Sequence, residues 1–147
     1  MSIHGSITTS RRAVLAASLF VGVWTAGCGI AMAADSQLTL SGANEVPAVT
    51  TSAKGSGTIT VGDDKSVSGS VTTSGINATM AHIHEAPVGK NGPVIIPLEK
   101  KGDNEWAVPA NAKLNDAQYK SYKDGNLYVN VHSEAHKGGE LRDQIKP

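Results

Sequence analysis

Leu127-Tyr128-Val129-Asn130-Val131-His132 decides how this chain is read. Aliphatic residues hold every odd position and polar or aromatic ones every even position, the period-two pattern of a strand with one apolar face. Leu127, Val129 and Val131 therefore turn towards a core, while Tyr128, Asn130 and His132 turn away from it. Glu140-Leu141-Arg142-Asp143-Gln144-Ile145 repeats the arrangement, with Leu141 and Ile145 inward and Glu140, Arg142 and Gln144 outward. Upstream, Met80-Ala81-His82-Ile83-His84-Glu85 turns Ile83 inward and Met80, His82 and His84 outward. If the three strands share a sheet, one outward face collects all of these polar side chains. The loops Glu85–Gly92 and Ser133–Gly139 are placed to cover it.

The rest of the chain has the same grain. Gly57–Val61 and Val67–Val71 flank Gly62-Asp63-Asp64-Lys65 and read as a hairpin. Leu38-Thr39-Leu40, Thr79–His84, Pro93–Leu98 and Trp106-Ala107-Val108 continue a series at the roughly 8–12-residue spacing of a sandwich. Ser41–Gly55 reads as a loop or irregular edge, because Pro47 has no N–H to give a ladder. One helix is expected between Asp116 and Lys123. Asn115 caps it, Gln118 completes a capping box, and Gly125 ends it. The expected fold is all-β: an antiparallel, Greek-key-like β-sandwich with one short helix near the C-terminal third.

The first 33 residues read as an export signal. Arg11 and Arg12 precede the apolar run Ala13–Val23, and Ala31-Met32-Ala33 offers a small-x-small cleavage site. Ser10-Arg11-Arg12-Ala13-Val14-Leu15 fits a twin-arginine signal, with a general secretory signal as the alternative. The run is too short for a membrane span, which needs roughly 20 apolar residues. Residues 34–147 then form a single domain outside the cytoplasm, periplasmic or secreted. Cys28, in Thr25-Ala26-Gly27-Cys28, gives a lipoprotein anchor as an alternative. Cleavage after Ala33 leaves no cysteine, so neither a disulfide nor a thiolate ligand is on offer.

Without Arg11 and Arg12, the 13 basic residues become 11 against 13 acidic ones, a net charge of −2. That balance offers no basic stripe for nucleic acid. Gly-x-Ser-x-Gly and a phosphate-binding glycine loop are both absent from the sequence. What remains is histidine. His82, His84 and His132 are the expected metal ligands, with His136 and the thioether of Met80 as further candidates. Imidazoles with an optional thioether suit copper first and zinc second. A zinc site would need Glu85 or Glu140 to complete four ligands. Glu140 and Arg142 otherwise read as a cross-strand salt bridge or surface pair.

Three ordered motifs carry a family resemblance. Leu40-Ser41-Gly42-Ala43-Asn44-Glu45-Val46-Pro47, then Ala81-His82-Ile83-His84 with Asn91-Gly92-Pro93-Val94, then Leu127–His132 with Gly138-Gly139-Glu140-Leu141-Arg142, resemble the CHRD domain, the module named after chordin. The resemblance spans about Gln37 to Lys146 and implies a secreted β-sandwich module. His82-Ile83-His84-Glu85 followed by Val131-His132 also resembles how copper-zinc superoxide dismutases place copper ligands outside a β-barrel. The cysteine pair and long zinc loop of those enzymes are missing here.

Three functions follow as expectations: a periplasmic binding module with one histidine copper site, serving copper binding or homeostasis; a copper-dependent enzyme of superoxide dismutase type, with Arg142 steering the anion; and a metal-free envelope interaction domain whose histidines brace loops. The expected partners are a metal ion and, in the third case, another envelope protein.

Overall fold

A computed structural model describes residues 1–2 and 33–147. The expected export signal, with its twin-arginine pattern and Cys28, falls almost wholly outside the described residues. Two antiparallel sheets face each other. The first runs in the order β1 (Ala33–Leu40), β2 (Lys54–Gly62), β3 (Val67–Ser74), β7 (Glu105–Ala107) and β6 (Glu99–Lys100). The second runs β5 (Val94–Pro97), β4 (Ala78–Glu85), β8 (Leu127–Ser133) and β9 (Leu141–Ile145). The all-β sandwich is thus as expected. The two-residue strand β6 is an addition, too short for any pattern to announce.

Alternation places the core between the sheets. Leu38, Leu40, Ile59, Val61, Val67 and Val71 from the first sheet meet Ala81, Ile83, Leu127, Val129, Val131, Leu141 and Ile145 from the second. Trp106 joins them from β7. Both lateral openings are laced. On one side Ser41 and Arg142 exchange backbone hydrogen bonds of 3.2 and 3.1 Å, so β1 runs on into contact with β9. On the other, Leu98 lies between β5 and β6 and carries the chain across from one sheet to the other. Its N–H donates to the Ala81 carbonyl at 2.9 Å.

The helix α1 (Asp116–Lys123) starts with the expected capping box. Asn115 Oδ1 accepts from the Gln118 N–H at 2.8 Å, and Gln118 Oε1 accepts from the Asn115 N–H at 2.9 Å. Tyr122 anchors it in the core. Among the described residues no helix is long and apolar enough to cross a membrane.

Register decides what the outer face of the second sheet holds. Antiparallel pairing sets Met80 opposite His132, His82 opposite Asn130 and His84 opposite Tyr128. Asn130 in turn stands opposite Arg142, and Tyr128 opposite Gln144. Directly opposed residues point to the same side of a sheet, so the face inferred from alternation forms as expected. Its exposure is another matter. All seven residues of β8 are buried, the outward-pointing ones included.

Candidate metal centre

Three segments roof that face. The strap Ser41–Pro47 lies over β8 and β9: Asn44 Nδ2 donates to the Arg142 carbonyl at 3.1 Å, and Asn130 Nδ2 donates to Glu45 Oε1. The loop 86–93 is tied to the strap by Asn91 Nδ2, which donates to the Val46 carbonyl at 2.7 Å. The loop after β8 folds back through Ser133, whose Oγ accepts from the His136 N–H at 3.1 Å.

Two glycines let these loops come so close. A Cβ on Gly92 would sit 1.9 Å from the Glu85 carbonyl oxygen. A Cβ on Gly139, whose φ is +128°, would sit 2.4 Å from Asn130 Nδ2 and 2.8 Å from Glu45 Oε1. Any side chain at either position would lift the roof.

Beneath the roof three imidazoles meet. One nitrogen each from His82, His84 and His132 can be chosen so that all lie within 4.8 Å of one another. His82 Nδ1 and His132 Nε2 are 3.1 Å apart. Nitrogens bound to one ion at about 2.0–2.1 Å stand roughly 2.9 Å apart at right angles and roughly 3.5 Å apart in a trigonal plane. The observed separation falls inside that range.

Hydrogen bonds to carbonyls set the tautomers. His84 Nδ1 donates to the Gly92 carbonyl at 2.9 Å, and His132 Nδ1 donates to the Lys137 carbonyl at 2.9 Å. A carbonyl only accepts, so each Nδ1 carries the hydrogen and each Nε2 presents a lone pair. Metal-ligating histidines are oriented in this way. His132 Nε2 points its lone pair at His82. His84 Nε2 is buried and has no hydrogen-bond partner among the described residues. His82 is half-buried and its ring has no backbone anchor, so it is the member able to rotate and close the triangle.

Burial also keeps the group neutral. It pushes His82 down to about 4, with the neighbouring His132 and His84 opposing an added charge. His84 and His132, only 8 % and 7 % exposed, are lowered from 6.5 by the same desolvation. Neutral imidazoles keep their lone pairs for a metal at ordinary pH.

The remaining expected residues are placed as follows. Met80 stands beside His132 at the open edge of the group and is 48 % exposed. His136 is half-buried in its loop and lines a separate hollow of about 370 Å³ with Glu45, Pro47, Asn91 and Gly138; it is not one of the three convergent histidines. Glu85 and Glu140 do not join the group either. Glu85 accepts from Ser121 Oγ, and Glu140 accepts from Thr51 Oγ1 at 2.7 Å and from Ser133 Oγ.

The expected Glu140–Arg142 pair does not form. Glu140 is held by those hydroxyls, while Arg142, 2 % exposed, donates to the Lys90 carbonyl at 2.7 Å and to Asn91 Oδ1 at 3.2 Å. Its guanidinium lies 3.5 Å over the Tyr128 ring, and Tyr128 stacks on His84 with ring centroids 4.9 Å apart. Far from being a surface charge, Arg142 is packed into the wall of the site.

Glu45 was missed as a participant. Burial pushes its carboxyl up to about 7, against the opposing pull of Arg142 and Asn130. It lies in an irregular segment, where alternation assigns no face. The only signal in the sequence was its place in the Leu40–Pro47 motif.

The family model of the CHRD domain matches residues 36–145, from the middle of β1 to the last residue of β9. The chain belongs to the CHRD family. No curated protein and no solved structure matches it. Each of the three segments that roof the histidines overlaps one of the stretches on which the CHRD resemblance rests, and the histidine-bearing strands beneath supply the rest. In this CHRD domain they meet over one face of the second sheet.

Proposed function

We propose that this CHRD domain is an exported module that binds one copper ion through His82, His84 and His132, in copper binding or homeostasis outside the cytoplasm. Met80, opposite His132 in register, and His136, in the loop after β8, are the reserve ligands. A single observation carries the reading: the unpaired His84 Nε2. A buried polar atom left without a partner costs about 1–3 kcal/mol. Here the ring is held by the Gly92 carbonyl, with the other two imidazoles beside it at ring-centroid distances of 5.5 Å (His82) and 6.0 Å (His132). The other two unpaired buried atoms, Trp106 Nε1 and the Tyr122 hydroxyl, belong to core aromatics and converge on no ligand set.

The His82–His132 contact favours a second reading, in which the imidazoles only brace the loops. That reading accounts for the two carbonyl bonds but leaves His84 Nε2 unexplained. Copper-loaded protein, desalted and measured by elemental analysis, is expected to hold about one ion per chain. Its thermal midpoint should rise, because a ligand that binds only the native state stabilises it. His84→Ala and His132→Ala should each abolish both effects. A double variant that retains as much copper as the wild type would overturn the proposal.

A further inference from the structure

The three donors are all imidazoles, and ligating imidazoles are neutral. The group includes no carboxylate or thiolate among the described residues. An ion bound there keeps its whole charge, beside two ligands that are 8 % and 7 % exposed. The penalty for burying an ion grows with the square of its charge, so a divalent ion meets about four times the penalty of a monovalent one.

A fixed cation adds to this. Arg142 is locked over Tyr128, and Tyr128 stacks on His84. Glu45, the buried acid that interacts with that guanidinium, is bonded by Asn130 and offsets the charge only in part. Coordination number separates the two copper states: Cu(II) calls for a tetragonal set, whereas three donors satisfy Cu(I). The soft thioether of Met80, opposite His132 and 48 % exposed, favours Cu(I) over Cu(II) in the same way.

We infer that this site selects by charge, holding Cu(I) in preference to Cu(II) or Zn(II), with Arg142 as the residue that sets the preference. The inference rests on the metal-binding reading above and specifies its ion. No electron transfer is involved: the site discriminates between ions supplied to it. Arg142 acts through space and does not ligate the ion.

Competition titrations separate the two layers. Purified protein is titrated anaerobically with Cu(I) against a chromophoric Cu(I) chelator. Cu(II) and Zn(II) are titrated separately against a carboxylate chelator. Cu(I) is expected to bind at least about tenfold more tightly than either divalent ion, the margin one unit charge supplies at roughly 10 Å. Arg142 stands two strand spacings from β4, roughly 10 Å, where an effective dielectric near 20 makes one unit charge worth about tenfold in affinity. Arg142→Gln should therefore narrow the Cu(I) preference about tenfold, and Arg142→Lys should keep it.

Equal or tighter binding of Cu(II) or Zn(II) by the wild type overturns the inference and leaves the metal site standing. Binding of none of the three ions overturns both. An unchanged ratio in a folded Arg142→Gln protein overturns the role given to Arg142. If that variant fails to fold, the wild-type ratio still decides.

Discussion

The outer faces of the two sheets follow the same alternation and end differently. On the first sheet, Thr39, Ser56 and Thr72 stand in register across β1, β2 and β3, and all three are exposed. On the second, His84 and Tyr128, and likewise Asn130 and Arg142, stand in register across β4, β8 and β9 and are buried. Strand period alone cannot tell these faces apart. The difference lies in the loops: the strap 41–47 and the two loops 86–93 and 133–140 all fold over one side. A polar face is left open when it needs nothing. It is roofed here where a set of lone pairs is held out of water.

The contrast can be broken most severely at the roof. Gly139→Val forces a branched side chain into a glycine-only conformation and against Asn130 and Glu45. A loss of about 3 kcal/mol is expected in denaturant unfolding. If Gly139→Val unfolds like the wild type, the roof is not packed as described.

Acid comes next. The unfolded chain takes up protons near 6.5 that folded His82 resists down to about 4, and His84 and His132 are lowered in the same sense. Their contribution is complete above about 6.5 and lost as pH falls towards 4. Glu45 has the opposite sign. Its folded value of about 7 exceeds the ordinary 4.5, so stability is lost as pH rises between those values. Glu45→Gln keeps an acceptor for Asn130 and removes that loss. Relative to wild type, its thermal midpoint should therefore improve more at pH 8 than at pH 4.5. An equal shift at both pH values would contradict a buried, half-neutral Glu45.

The smallest effect belongs to the open face. Ser56→Ala should change stability by no more than about 0.5 kcal/mol. A cost approaching that of Gly139→Val would erase the distinction between the faces.

The sequence announces the strands well because β4 and β8 alternate and β9 departs only at Asp143, and it announces α1 because its caps are side chains. It also places His82, His84 and His132 together, since parity and register are enough for that. Three things escape it. Arg142 looks like a surface charge, because its acceptors are the Lys90 carbonyl and the side chain of Asn91, in a loop distant in sequence. Glu45 sits where no periodicity operates. The carbonyls of Gly92 and Lys137 that set the tautomers are backbone groups, which no residue letter records.

In the proposed function these three imidazoles hold one ion together. X-ray absorption at the copper edge of the loaded protein tests it most directly. About three nitrogen neighbours at roughly 2.0 Å, with the outer-shell scattering of imidazole rings, are expected. A shell of oxygen alone, or an imidazole signal that survives in the His84→Ala, His132→Ala double variant, would contradict it.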